Sequence, residues 1–141
     1  LSGVYTSKSQ AARETAEILS RANSRRVRIA DGLEGVSLGL WEGQLEVDVR
    51  QRHQKAFETW RKDPFAVTPP GGEDMSEADG RTWKAAKSIL KKHRRGTVVL
   101  VAPPTVVGLV YCRLMGLTAN RVFDVTGRLG AFEVLGTPAS R

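Results

Sequence analysis

Apolar positions along the sequence alternate between strand-like runs and helical spacing. Residues 3–6, Gly3-Val4-Tyr5-Thr6, read as a short strand, and Ala12, Ala16 and Leu19 then repeat at the spacing of one helix face. Ser7-Lys8-Ser9-Gln10 has capping-box spacing, which predicts Ser7 as the cap of a helix ending near Asn23. Residues 27–30 form a second strand candidate, and the glycine-rich residues 31–43 an extended loop. Leu45, Val49, Ala56, Phe57 and Trp60 make one apolar stripe, with His53 on it, and predict a single helix that Asp63-Pro64 ends. Pro69-Pro70-Gly71-Gly72 is rigid loop material. Glu73 and Asp74 precede a helix over residues 76–95, with Trp83, Ala86, Ile89 and Leu90 on its inner face. Lys91, Lys92, His93, Arg94 and Arg95 crowd its last turns, where cations complement the helix dipole, and Gly96 stops it.

Val98-Val99-Leu100-Val101 is an unbroken apolar run, as in a strand covered on both faces. Pro104 suits the first turn of the helix that follows, which carries Val106, Val107, Leu109, Val110 and Leu114 and is capped by Gly116. Residues 121–125 and 131–135 read as two closing strands around Gly127 and Gly130. This alternation predicts an α/β fold: a layered, largely parallel sheet with helices on both faces. Chemistry in such folds gathers at the carboxyl ends of the strands, here after Thr6 and after Ala102.

A length of 141 residues suits one domain, and 40% apolar with 26% charged residues is the balance of a soluble globular chain. The lone Cys112 has no internal disulfide partner and lies on an apolar helix, so it reads as an inert buried thiol and the default compartment is the reducing cytoplasm. No signal peptide is expected at Leu1. The uncharged residues 97–112 fall short of the ~18 apolar residues of a spanning helix and are divided by Pro103-Pro104, so no membrane partner is expected. The net charge of +7 and pI of about 10.1 favour anionic partners: nucleic acid, acidic protein or a phosphorylated small molecule. The basic run at residues 91–95, with Arg25, Arg26 and Arg28, could bind nucleic acid, but a solvated helix end is the favoured reading and few aromatics interleave with these charges. Two distant histidines and one cysteine give no metal-ligand spacing, and no glycine-rich dinucleotide loop follows a strand, so neither metal nor cofactor is expected.

Four segments, in order, resemble the histidine phosphatase superfamily of phosphoglycerate-mutase-like proteins. Val4-Tyr5-Thr6-Ser7 with Glu14-Thr15-Ala16 resembles its second-strand motif. Leu33-Glu34 through Gly39-Leu40-Trp41-Glu42-Gly43 resembles its leucine–glutamate and glycine–tryptophan–glutamate–glycine loop. Pro70-Gly71-Gly72-Glu73, with Arg81 eight residues on, resembles its proline–glycine–glutamate motif, and residues 98–101 resemble the strand that normally ends in Ser-His-Gly. The resemblance implies phosphoryl transfer through a phosphohistidine. Its nucleophile sits on an N-terminal Arg-His-Gly strand, a second histidine and two arginines hold the phosphoryl oxygens, and a glutamate protonates the leaving group.

Most of that equipment is missing from residues 1–141. The resemblance starts at the family's second strand, so the first is expected to be absent. Arg52-His53 lies inside a predicted helix, where His53 reads as a partly buried, hydrogen-bonded side chain. The family's arginine position falls on Ala11; Arg13 is about 200° further round the helix and points elsewhere. Ser-His-Gly aligns with Ala102-Pro103-Pro104, and proline brings neither a side-chain donor nor a backbone N–H. Glu73 alone keeps its position, as a vestigial proton-donor site or an acid at a helix N-terminus, while Arg81 is expected to brace the loop. The expected function is that of a degenerate, non-catalytic binding or scaffold protein. The alternative is a fragment of an active phosphatase that hydrolyses phosphomonoesters, and a basic nucleic-acid binder ranks third. An unfilled place beside residues 98–101 would suit a strand from a protein partner.

Overall fold

A computed structural model describes residues 1–128 and 132–137. In chain order it has strand β1 (Gly3–Thr6), helix α1 (Gln10–Asn23), strand β2 (Val27–Ile29), a 3₁₀ turn (Gly39–Trp41) and helices α2 (Glu46–Arg52), α3 (Gln54–Lys62) and α4 (Met75–Lys92). Strand β3 (Val98–Val101), helix α5 (Pro104–Leu114), a second 3₁₀ turn (Ala119–Arg121) and helix α6 (Val122–Thr126) follow. The three strands form one parallel sheet in the order β2-β1-β3, so each connection is a crossover through helices. Val4 pairs with Val27 on one side and with Val99 on the other.

Central β1 is buried along its whole length. Its alternation sends Tyr5 to one face, where it packs with Leu33, Ile89 of α4 and Val106 of α5, joined by Val98 and Leu100. The other face is left to α1, which contacts all three strands and buries Ala12 and Ala16; two small residues let helix and sheet approach closely. Strand β3 is less covered than its apolar run predicts. All four of its residues are half-buried, and beyond β1 it has no strand partner among the described residues. It is an edge strand with a row of free backbone groups.

Four local expectations are corrected. The cap of α1 is Ser9, whose hydroxyl accepts from the Ala12 N–H; Ser7, fully buried, lies before it and bonds the Ser9 N–H instead. The expected single helix over residues 45–60 breaks at His53, whose backbone (φ −133°, ψ 42°) leaves the helical region. The break lets Val49 of α2 and Phe57 and Trp60 of α3 converge on Trp41, with ring centroids 5.8 and 5.7 Å from it, while His53 and Leu45 stay exposed. Residues 122–126 are helical, because Val122 and Val125 lie three apart on the face that packs against α5. Residues 132–137 carry no regular structure, with Phe132 and Val134 exposed; the remainder of the second expected closing strand, residue 131, lies outside the described residues.

The α5–α6 contact needs a glycine. A β-carbon at Gly108 would stand 2.6 Å from the Thr126 methyl and 3.0 Å from Val122 Cγ2. Beside it, fully buried Leu109 packs with Met75, Ala78 and Val122. Leu109→Ala is expected to lower unfolding stability by about 2–5 kcal/mol, whereas Leu40→Ala, at a residue 68% exposed, should change it by no more than about 0.5 kcal/mol. Urea denaturation of the two variants checks the difference.

Candidate functional site at the carboxyl end of the sheet

The carboxyl ends of β1 and β3 are locked side by side by the Ser7 N–H, which donates to Val101 O at 3.3 Å. The Ala30 N–H donates to Thr6 O at 2.9 Å and brings in the end of β2. The side chains there are chemically sparse. Thr6 and Ser7 are fully buried, and the Thr6 hydroxyl has no hydrogen-bond partner. Ala102 and Pro103 follow β3, and Pro103 and Pro104 open α5. Helix N-termini attract anions through free N–H groups in their first turn. Here two of those positions are proline, and Val107 N–H is already bonded to Pro103 O, which leaves the N–H groups of Thr105 and Val106. On α1, Ala11 and Arg13 are both exposed, on either side of buried Ala12. Lys8 is also at this end, but its ammonium is paired with Asp31 at 2.8 Å.

The loop that covers this end is built around one guanidinium. Arg81, from the second turn of α4, donates through Nε and Nη2 to both carboxylate oxygens of Glu73, at 2.6 and 2.8 Å. Its Nη1 donates to the carbonyls of Gly32 and Glu34 at 2.9 and 2.8 Å, and its Nη2 to Gly35 O at 3.2 Å. The planar fork of arginine satisfies a carboxylate and three carbonyls at once, which a lysine ammonium cannot copy. Arg81 thus braces the loop, the role its spacing suggested. The carbonyl partners have no sequence signature and are visible only in the fold.

A second weld joins the two glycine-rich loops. Leu40 N–H donates to Pro70 O at 2.9 Å, and Glu73 N–H to Ser37 O at 2.9 Å. Gly39 (φ +54°) makes this approach possible: a β-carbon there would lie 2.2 Å from Pro70 O. A β-carbon at Gly35 would come within 3.4 Å of Pro103 Cγ, so the loop reaches the end of β3. All four motif segments therefore meet at the carboxyl end of the sheet.

Glu73 is not the helix-terminal acid; Asp74 holds that place and accepts from the Ser76 and Glu77 N–H groups. The Glu73 carboxyl is held below its ordinary value of 4.5, first by the hydrogen bond from Arg81 and further by its charge, against the opposing effect of burial. A proton donor near neutral pH needs the opposite shift. Away from this end, buried Cys112 has its thiol pushed up by desolvation and by Asp79, as suits an unreactive side chain. Arg113 ties α5 to α4 through buried Asp79. Among the described residues no group of three or more His, Cys, Asp or Glu could hold a metal ion, and no helix is long and apolar enough to cross a membrane.

Comparison with known proteins agrees with this architecture. The family model of the histidine phosphatase superfamily (branch 1) matches residues 1–139. Phosphoserine phosphatase 1 of Hydrogenobacter thermophilus is 26% identical over 121 residues, which is 86% of this chain and 57% of that protein. Among solved structures, YhfR of Bacillus stearothermophilus superposes with a TM-score of 0.79 at 27% identity, covering 88% of this chain and 61% of that one. The α-ribazole phosphatase of Shigella flexneri gives a TM-score of 0.73 at 21% identity over 86% of this chain and 60% of that one, a likeness of fold. The chain thus spans about three fifths of the length of these proteins.

Removing the Arg81 fork strands a carboxylate and the carbonyls of Glu34 and Gly35, while Gly32 O keeps the hydrogen bond from the Thr82 hydroxyl. Arg81→Lys is expected to cost about 1.5–3 kcal/mol, the range for hydrogen bonds to charged groups, measured by urea denaturation at pH 7. The Glu73 shift also fixes a sign. A carboxyl lowered on folding contributes stability that is fully present above pH 4.5 and is lost as the pH falls through the lowered folded value. Asp74, lowered by the Ser76 and Glu77 N–H groups, adds to the same slope. Glu73→Gln should therefore flatten, without abolishing, the loss of stability below pH 4.5. An unchanged acid limb in that variant would contradict the assignment.

Proposed function

The chain belongs to the histidine phosphatase superfamily, branch 1, and on that premise we propose that residues 1–141 keep the family's scaffold as a binding module without transferring phosphoryl groups. The observation that carries this reading is the chemistry at the ends of β1 and β3. The two positions where the resemblance calls for an arginine and a histidine are Ala11 and Pro103. Phosphoryl transfer depends on cations and N–H donors placed around the spreading negative charge. At this end Lys8 and Arg81 are paired with Asp31 and Glu73, Arg13 is exposed two residues round α1 from Ala11, and two first-turn N–H groups of α5 are replaced by proline. Glu73, ionised and held by Arg81, serves the loop rather than a leaving group.

A second reading has its own support. Similar proteins are named as phosphatases, of phosphoserine and of α-ribazole phosphate esters, and these names weigh toward a part of an active phosphomonoesterase that works through a phosphohistidine supplied from outside residues 1–141. Ala11 and Pro103 weigh the other way, since residues outside this segment do not change them.

The loss of one charge-stabilising donor costs a factor on the order of 10²–10³ in such sites. The full-length gene product is therefore expected to hydrolyse p-nitrophenyl phosphate and phosphoserine no faster than buffer, and the double variant Ala11→Arg/Pro103→His to hydrolyse them faster than the unmodified protein. Steady turnover by the unmodified protein, abolished in Glu73→Gln, would overturn the non-catalytic reading in favour of the second.

A further inference from the structure

The opposite, amino end of the sheet gathers a group of cations that form no ion pair among the described residues. From the sequence, Arg25, Arg26 and Arg28 and the basic run at residues 91–95 are two separate groups. The fold merges them. Arg25 and Arg26 immediately precede β2, Arg94 and Arg95 immediately precede the entry to β3, and the two strands flank β1. The contact is close: Ser2 N–H donates to Thr97 O at 2.7 Å, and a β-carbon at Gly96 would collide with the Ser2 hydroxyl. Beneath the rim, the Tyr5 hydroxyl joins the two groups, bonded to His93 Nε2 at 2.8 Å and accepting from Arg28 Nη1 at 3.3 Å.

Three features separate this rim from an ordinary solvated surface. First, the segments that form it carry no counter-charge of their own: residues 18–30 and 80–123 contain no aspartate or glutamate. No ion pair is formed by Arg25, Arg26, Arg28, Lys91, Lys92, Arg94 or Arg95 among the described residues, whereas Lys8, Arg21, Arg50, Arg81, Arg113 and Arg121 are all paired. Second, its β2 side is concave: Ser2, Gly3, Ser24, Arg25, Arg26 and Arg28 line a shallow, open cleft. Third, the turn that presents the arginines is fixed. Ser24 adopts a left-handed backbone (φ +52°), the Arg25 N–H donates to Ser20 O at 3.1 Å, and the Ser20 hydroxyl donates to Arg25 O.

We propose that this amino-end rim binds the phosphodiester backbone of nucleic acid. Neighbouring strands lie about 4.8 Å apart, so the β2 and β3 entries are separated by roughly 10 Å. A duplex presents one charge per about 1.7 Å of axis, so a rim of this width meets several phosphates at once. Exposed aromatic side chains are absent from the rim, since Tyr5 is buried. The contact is therefore to the backbone, independent of base sequence and steeply dependent on salt. It stands apart from the carboxyl-end site and does not depend on whether that site is catalytic.

The test is fluorescence anisotropy with matched 20-base-pair DNA and RNA duplexes across a salt series, the tighter-bound duplex identifying the source. Arg25→Ala/Arg26→Ala should weaken binding and make the slope of log K against log salt shallower by about 1.8, about 0.9 for each lost phosphate contact. Both side chains are exposed and unpaired, so the fold should persist by circular dichroism. Arg94→Glu/Arg95→Glu should weaken binding further. Arg50→Ala/Lys55→Ala, which removes the same charge from α2 and α3, should leave affinity within about threefold. Equal losses in the rim and control variants would overturn the proposal. So would poly-L-glutamate displacing the duplex as effectively as unlabelled duplex at equal charge, which would assign the surface to acidic protein.

Discussion

The loop that covers the carboxyl end of the sheet is organised around one side chain. Arg81 collects a carboxylate and the carbonyls of Gly32, Glu34 and Gly35 in a single plane, and so fixes the loop between β2 and α2 against the start of α4. Backbone carbonyls of a loop that leaves the sheet have no ladder to join and must find donors elsewhere. The guanidinium supplies them, and Glu73 neutralises it where both are mostly shielded from water. The same loop carries Gly39, where a β-carbon would collide with Pro70 O, and Gly35, where one would stand 3.4 Å from Pro103 Cγ.

The same brace shapes the reading of function. A carboxylate engaged through both oxygens by an arginine is stabilised as an anion, and this environment favours structure over proton donation. The two positions to which the family resemblance assigns an arginine and a histidine are Ala11 and Pro103, whose side chains carry no hydrogen-bond donor. Charge is also distributed unevenly between the two ends of the sheet. At the carboxyl end Lys8 and Arg81 are matched by Asp31 and Glu73; at the amino end the arginines of the β2 and β3 entries have no such partner among the described residues.

Much of the fold was legible in the sequence, because its signals are local. The apolar run at Val98–Val101, Pro104 at a helix start and the helical spacing of Ala12 and Ala16 each report on their own element. Where the sequence reading failed, the deciding contact was distant. Val122, Phe123 and Val125 suit a strand or a helix equally well over so short a stretch, and the helix wins because Gly108 on α5 opens a place for Val122 and Thr126. The break at His53 is set by convergence on Trp41, twelve residues earlier, and β3 is half-covered because of its place at the sheet edge, which its composition does not encode. In the site, a bracing role for Arg81 was expected, but its pairing with Glu73 was not, and the three carbonyls that complete the brace carry no side-chain signal. The merging of two basic runs needed the strand order β2-β1-β3, which no local pattern fixes.

A carboxyl end that keeps its architecture without a phosphate-collecting set of donors should not bind phosphate, and binding can be read independently of turnover. Backbone amide NMR of the protein, titrated with inorganic phosphate and then with vanadate, reports each end of the sheet separately. The amides of Ser7, Ala102, Thr105 and Val106 are expected not to shift in a saturable manner at millimolar concentrations. Saturable, concerted shifts of those four amides, with Gly32 to Gly35 following, would contradict that expectation and restore a working phosphate site.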